Sequence, residues 1–182
     1  MEEKENLLIN TCSFQGVEPI MMALPYPPTQ VMEKNLTYAD LLSNDYAGAV
    51  SEMSAITQYI NNENRLSCEK CPLAKTIVGI AISEMIHLNK LGELIFLLGG
   101  DIDFIAIQPN GRGKMWTPQY LTISDNAKDM LTTSIESEKA AINQYRAHMK
   151  VINDVHINAI LARIIKDEEY HILILQALLN DL

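Results

Sequence analysis

The chain has 182 residues, of which 48% are hydrophobic, which is enough for one domain with a sizeable core but not for two ordinary ones. Aromatic residues make up only 6%, and Gly and Pro cluster in a few places, so a sandwich or barrel is disfavoured and an all-α fold is expected. With a net charge of −9 and scattered basic residues, we expect no nucleic-acid partner.

The amino-terminal residues lack the basic start and apolar core of a secretory signal, and no apolar run approaches the ~18 residues of a membrane span. We therefore expect a cytoplasmic protein without a membrane partner. The three cysteines, Cys12, Cys68 and Cys71, are too few for a disulfide framework, so reduced thiols are expected. Cys68 and Cys71 form one Cys-x-x-Cys motif, for which a redox dithiol, an intersubunit metal clip and local structure all stay open.

Residues 1–36 are expected to form an extended lead-in, because Pro25, Pro27 and Pro28 remove backbone donors and favour extended conformations. This segment would pack along the rest of the domain or along another subunit. The first helix is predicted from about residue 37 to 62, and the second from Pro72 to Leu98. Pro72 suits a first helical position, and two glycines follow Leu98, where a helix commonly ends.

A long connection is predicted from residue 101 to about 123, since this stretch holds two prolines, two glycines and the only tryptophan, Trp116. The third helix is predicted from about 124 to 152 and the fourth from 154 to the carboxyl terminus. Residues 37–182 are therefore expected to form an antiparallel four-helix bundle with a long crossover between its second and third helices.

An internal repeat runs through this bundle. Residues 52–59 read Glu-Met-Ser-Ala-Ile-Thr-Gln-Tyr, and residues 138–145 read Glu-Lys-Ala-Ala-Ile-Asn-Gln-Tyr. Each copy is followed by a Glu-x-x-His motif, which spans residues 84–87 after the first copy and 168–171 after the second. A doubled sequence unit implies a doubled structure, here two helical hairpins.

The order Glu, Glu-x-x-His, Glu, Glu-x-x-His is the ligand set of a two-metal site in a helix bundle. Residues three apart share one face of a helix, so the Glu and His of each motif can reach the same ion. Four buried carboxylates would be very costly without partners, and two divalent cations neutralise them. We expect metal ligands at six positions: Glu52, Glu84, His87, Glu138, Glu168 and His171.

From residue 37 to 182 the chain resembles the ferritin-like di-iron and di-manganese carboxylate superfamily. Residues 138–145 are similar to the helix-one pattern Glu-x-x-Ala-Ile-Asn-Gln-Tyr of bacterioferritin, and residues 167–171, Asp-Glu-Glu-Tyr-His, to its fourth-helix ligand segment. The resemblance implies that Glu84 and Glu168 bridge two metal ions. It further implies that the remaining ligands divide between these ions, Glu52 and His87 at one and Glu138 and His171 at the other.

Tyr59 and Tyr145 are candidate catalytic groups, because each lies seven residues after a ligand Glu and on the same helix face. They would hydrogen-bond ligand carboxylates of the opposite half, with ordinary core packing as the open alternative. Met85 stands where bacterioferritin carries its haem-binding methionine, but core packing is the expected role and haem is not expected. His148 and His156 lack the ligand spacing and are expected at the surface or in helix caps.

Oxygen and imidazole donors without thiolate suit iron or manganese, with zinc possible by substitution. We expect an oxidoreductase of the ferroxidase or peroxidase type, which reacts with hydrogen peroxide or dioxygen and takes electrons from an unknown donor. Manganese catalase-like disproportionation of peroxide, iron storage in a shell, and a purely structural metal site stay open as alternatives.

The resemblance also bears on the branch of the superfamily and on assembly. Rubrerythrin proper is disfavoured, because Ala141 stands where its third helix has a further acid, and one Cys-x-x-Cys is too few for its rubredoxin-type iron centre. Ferritin shells use a fifth helix, and only 11 residues follow His171. A homodimer or small homo-oligomer is therefore expected.

Overall fold

In the computed structural model, which describes residues 12–67 and 70–182, the helices fall into four rods that pack as a bundle. The first rod consists of two helices in succession, and both pack against the second rod. The third and fourth rods form the other hairpin. The all-α bundle expected from the sequence is thus confirmed. Its helices are α1 (Leu36–Ala47), α2 (Glu52–Leu66), α3 (Cys71–Leu98), α4 (Ala127–Val151) and α5 (Val155–Asn180).

The first rod is broken between α1 and α2. α1 ends at Ala47 and is capped by Gly48, where an added Cβ atom would lie 2.5 Å from the carbonyl oxygen of Asn44. α2 begins after Ser51, whose Oγ accepts a hydrogen bond from the backbone N–H of Ser54 and caps the helix. The continuous helix predicted over residues 37–62 is wrong here, because apolar spacing continues through the break. The break places Glu52 in the first turn of α2.

The long crossover follows α3, as predicted, and it contains structure that the sequence did not indicate. Strands β1 (Ile105–Ile107) and β2 (Gly113–Met115) pair antiparallel, with Ile105 opposite Met115. A single 3₁₀ turn, Pro118–Tyr120, leads towards α4. Strands of three residues are too short to show a recognisable alternation of apolar and polar residues.

The extended segment before α1, residues 12–35, lies along the bundle. The backbone N–H of Ile20 donates to the carbonyl oxygen of Gly79 on α3 at 2.9 Å. The Arg163 guanidinium on α5 donates to the carbonyl oxygen of Met22 at 2.8 Å. The segment therefore packs along the bundle of its own chain, which is one of the two locations that the sequence left open.

A disulfide bond joins Cys12 to Cys71, with Cα atoms 5.5 Å apart. It links the extended segment to the first residue of α3. The expectation of reduced thiols is wrong for this pair. It rested on the small number of cysteines, which does not reveal that the fold brings Cys12 next to Cys71, 59 residues away. Cys68, the other member of that motif, lies outside the described residues.

Two apolar clusters fill the bundle, one on each side of its middle. One is built largely on residues 91–98 of α3 and 157–165 of α5. The other is built largely on residues 73–81 of α3 and 130–135 of α4. Burial of these side chains supplies the main favourable free energy of folding. The helix segments between the clusters carry the predicted ligands, which are therefore enclosed by aliphatic layers.

By length and composition alone, α3 is apolar enough to cross a membrane. Just over half of the relevant stretch is buried inside the bundle, and Glu84 and His87 lie buried at its middle. The core helix of a bundle passes the same test, so this is weak evidence for a span. The sequence expectation differed because it considered uninterrupted runs, which these polar residues keep short.

Candidate metal centre

The structure brings the six predicted ligands together at the middle of the bundle. They fall into two groups of four, and within each group one ligand atom per residue lies within 4.8 Å of the others. Both groups contain Glu84 from α3 and Glu168 from α5. All six side chains are almost fully buried. The unshared members are Glu52 and His87 in one group, and Glu138 and His171 in the other.

The Nδ1 atoms of both histidines face the shared carboxylates. His87 Nδ1 lies 2.7 Å from Glu84 Oε2 and 3.3 Å from Glu168 Oε1. His171 Nδ1 lies 3.0 Å from Glu168 Oε2 and 3.1 Å from Glu84 Oε1. The Glu and His of a motif are about one helical turn apart, so each imidazole reaches the acid of its own helix. Because α3 and α5 face each other at this level, each imidazole also reaches the acid of the other helix.

The Nε2 atoms point away from the cluster, and each has an acceptor. His87 Nε2 lies 3.2 Å from Asp167 Oδ2. His171 Nε2 lies 2.7 Å from the carbonyl oxygen of Ile20, in the extended amino-terminal segment. A proton held on Nε2 leaves the Nδ1 lone pair of a neutral imidazole directed at the cluster. These two contacts therefore orient both rings as metal ligands require.

Asp167 is a site residue that sequence reasoning did not single out. It accepts hydrogen bonds from the Tyr26 hydroxyl at 2.8 Å and the Met22 N–H at 2.7 Å, and it pairs with Arg163 at 2.6 Å. Burial by itself raises the pKa of Asp167, but hydrogen bonds from His87 and Arg163 outweigh this and lower it to about 2. The i,i+4 spacing of Arg163 and Asp167 was a signal in the sequence. The contacts with Met22 and Tyr26, 145 and 141 residues away, had none.

Tyr59 and Tyr145 are buried, and each binds an acid of the opposite half. The Tyr59 hydroxyl donates to Glu138 Oε1, and the Tyr145 hydroxyl donates to Glu52 Oε1. These are the hydrogen bonds expected from the sequence, while a catalytic role for either tyrosine stays a prediction. Burial, reinforced by the adjacent carboxylate, raises the pKa of both hydroxyls well above the ordinary value, so both remain donors.

In the protein alone, the surroundings of the cluster shift the pKa of several ligands towards their protonated forms. Burial and neighbouring carboxylates raise the pKa of Glu52 and Glu138 well above the ordinary value. Burial on its own lowers the pKa of His87 and His171, but the surrounding carboxylates outweigh it and raise both. Burial raises the pKa of Glu84, but the two imidazoles outweigh it, and the net shift is downward. A carboxylate-rich pocket that retains protons in this way has a strong preference for cations.

The donor set fits two divalent cations. Four carboxylates and two neutral imidazoles offer oxygen and nitrogen ligands whose total charge two such ions balance. Glu84 Oε1 is buried and accepts no hydrogen bond from any described residue, although His171 Nδ1 lies nearby outside hydrogen-bonding geometry. A buried carboxylate oxygen without a partner is costly unless a ligand satisfies it. Such donors suit iron and manganese, and also accommodate zinc.

Three further residues considered in the sequence lie outside the cluster. Met85 is 45% exposed, so the expected core packing is wrong, because its position on α3 faces away from the bundle interior. His148 is mostly buried and not at the surface or in a cap, since its Nδ1 lies 2.7 Å from buried Asp45 Oδ2. His156 lies half-exposed in the first turn of α5.

Known proteins share this architecture. A probable manganese catalase of Clostridium acetobutylicum is 24% identical over 168 residues, which are 83% of this chain and 74% of that protein. The structure of KatB, a manganese catalase from Anabaena PCC7120, has a TM-score of 0.77 at 22% identity, and the match covers 88% of this chain and 78% of that chain. A Rhodobacter capsulatus bacterioferritin has a TM-score of 0.68 at 22% identity, over 82% of this chain and 87% of that chain. At these identities, the structures show a common fold.

The ferritin-like domain family matches residues 51–182, which include the whole set of predicted ligands. The match begins one residue before Glu52 and extends through α5. The chain therefore belongs to the ferritin-like domain family.

Proposed function

We propose that this protein is a two-metal oxidoreductase that decomposes hydrogen peroxide in the manner of a manganese catalase. The observation that carries the proposal is the pair of four-residue groups that share Glu84 and Glu168, since carboxylates common to both groups would hold two ions next to each other. Two adjacent redox-active ions, when bound, can together exchange two electrons with a peroxide. The likeness to a probable manganese catalase over 83% of the chain favours this reaction over the ferroxidase expectation.

The protein residues provide a well-anchored frame for this chemistry. Asp167 and the Ile20 carbonyl orient the two imidazoles, and Tyr59 and Tyr145 hold the unshared acids. The apolar clusters on either side of the ligands lower the local dielectric constant, which strengthens the electrostatic interactions in the site. The ligand geometry is therefore fixed by contacts outside the cluster and not by the ligands alone.

The test is peroxide decomposition without an added reductant. Protein purified without added metal is loaded with Mn(II), and peroxide loss and dioxygen release are measured together. We expect one dioxygen for every two peroxides consumed. Glu84→Gln should lower both the bound metal and the rate, while the control Glu33→Gln, at an exposed acid outside the cluster, should leave both unchanged. Peroxide that survives contact with fully loaded wild-type protein would contradict the proposal.

A second candidate is the ferroxidase or peroxidase reaction. The carboxylate-rich donor set supports it, because such ligands suit iron as well as manganese. Protein loaded with Fe(II) would then oxidise the iron with peroxide and release no dioxygen. Gel filtration tests the storage alternative, since a shell-sized assembly supports storage and a dimer or small oligomer argues against it.

A further inference from the structure

A cavity between α2 and α4 leads from the surface to the metal cluster. It has a volume of about 260 Å³. The carboxylates of Glu52, Glu138 and Glu168, all buried, form its inner end, and the exposed residues Glu136 and Ser137 mark its mouth. A molecule in this cavity would therefore touch the ligand carboxylates directly.

Small side chains keep the inner part of the cavity open. Ala55 and Ala141 both line it, and they occupy equivalent positions of the repeat, three residues after Glu52 and Glu138. Residues at this spacing share a helix face, so a larger side chain at either position would project beside the ligand acid. Tyr120 of the 3₁₀ turn and Thr122 line another part of the cavity.

The size of the cavity exceeds what hydrogen peroxide needs. One water-sized molecule requires roughly 10–15 Å³ of such space, so the cavity has room for a molecule with several carbon atoms. It is also smaller than most pockets for drug-sized ligands, which measure roughly 300–1,000 Å³. The volume therefore fits a compact organic molecule.

The polar groups of the cavity indicate the chemistry of its occupant. Ser134 is 2% exposed, lines the cavity one turn before Glu138, and its Oγ has no hydrogen-bond partner among the described residues. An unpaired buried hydroxyl offers a place for a polar group of a ligand. The described residues that line the cavity include four glutamates and no Lys, Arg or His, which disfavours an anionic ligand. A neutral molecule with a polar end is favoured.

We propose that this cavity binds a small neutral organic hydroperoxide, with its peroxide group at the ligand carboxylates and its organic group between Ala55 and Ala141. The inference rests on the peroxide chemistry of the proposed function. The organic hydroperoxide takes up two electrons and two protons, its O–O bond breaks, and it leaves as an alcohol and water. Hydrogen peroxide supplies those two electrons and two protons and leaves as dioxygen. One molecule of each peroxide thus yields one alcohol, one water and one dioxygen.

Binding is tested without turnover, on metal-free protein with tert-butyl alcohol, the redox-inert analogue of tert-butyl hydroperoxide. Saturation-transfer NMR should detect the alcohol on wild-type protein. Ala55→Leu and Ala141→Leu should each weaken the binding about tenfold or more by filling the cavity. Both alanines are half-buried and border open space, so both variants should retain the wild-type circular dichroism. The control Ala147→Leu, at an exposed position of α4 outside the cavity, should bind as wild type does.

Turnover is tested with manganese-loaded protein given both peroxides. Dioxygen released per hydrogen peroxide consumed should rise as tert-butyl hydroperoxide is added, up to twice the value without it. The two Leu variants should lose organic hydroperoxide turnover about tenfold more than hydrogen peroxide turnover. Ala147→Leu should change neither.

The outcomes separate this inference from the proposed function. Hydrogen peroxide decomposition with an unchanged dioxygen ratio, or tert-butyl alcohol that fails to bind, overturns the inference and leaves the proposed function standing. Loss of binding in one Leu variant that remains folded supports the cavity even if the other misfolds. Protein that decomposes no hydrogen peroxide overturns both the function and the mixed reaction.

Discussion

Metal binding at the cluster should release protons, because bound metal requires ionised carboxylates and neutral imidazoles. In the protein alone, the pKa of Glu52, Glu138, His87 and His171 is raised, which favours their protonated forms, and a bound metal must displace the protons that they carry. Binding of two divalent ions should therefore release up to about four protons per chain near neutral pH. Overall affinity for the pair of ions should then rise by as much as roughly four powers of ten per pH unit.

Titration calorimetry measures this release. Metal-free protein is titrated with Zn(II), which is redox-silent, at one pH in buffers of different ionisation enthalpy, and the dependence of the heat on the buffer gives the proton count. Glu138→Gln should release about one proton fewer, because its amide carries no displaceable proton. Glu33→Gln, at an exposed acid outside the cluster, is the control and should match wild type. A proton count near zero for wild-type protein would refute the conclusion that the ligands of the metal-free cluster are shifted towards their protonated forms.

The same shifts give a sign for the stability of the metal-free protein. Groups with a raised pKa bind more protons in the folded state than in the unfolded state, so the free energy of unfolding falls as pH rises. The effect begins above the ordinary values of 4.5 for Glu52 and Glu138 and 6.5 for His87 and His171. The pKa of Glu84 is lowered from its ordinary value of 4.5. Well above pH 4.5 this group is ionised in both the folded and the unfolded state, so it adds no slope there. Urea melts from pH 5 to 8 should show declining stability, and a rising curve would contradict this sign.

Three further substitutions test the contacts around the cluster. Tyr145→Phe removes a hydrogen bond to a buried acid and should destabilise the metal-free protein by roughly 1–3 kcal/mol, seen in urea melts; an unchanged midpoint would count against that bond. Replacing both Cys12 and Cys71 with Ser opens a link across 59 residues and should cost roughly 2–5 kcal/mol, whereas equal stability of oxidised and reduced wild-type protein would argue against the disulfide. Asp167→Asn leaves His87 without its charged partner and should weaken zinc binding roughly 10–100-fold in competition titrations; wild-type affinity would show that the contact is dispensable.

The ligand set was readable from the sequence because it depends on local periodicity. Each Glu-x-x-His motif lies within a single helix, so its spacing alone places Glu84 beside His87 and Glu168 beside His171. The repeat and the apolar patterns then indicated four antiparallel rods with these motifs near their middle. The family resemblance added the division of the ligands between two ions. The fold class and the identity of the candidate ligands therefore needed no coordinates.

The surroundings of the ligands were decided by the tertiary structure. The Ile20 carbonyl beside His171, the Met22 amide on Asp167 and the bond from Cys12 join the extended segment to helices between 59 and 151 residues away. Such contacts leave no periodic trace, because each depends on where two distant segments meet. The cavity beside Ala55 likewise exists only where two helices diverge. Local sequence thus determined which residues face the centre, while long-range packing determined how they are oriented and what can reach them.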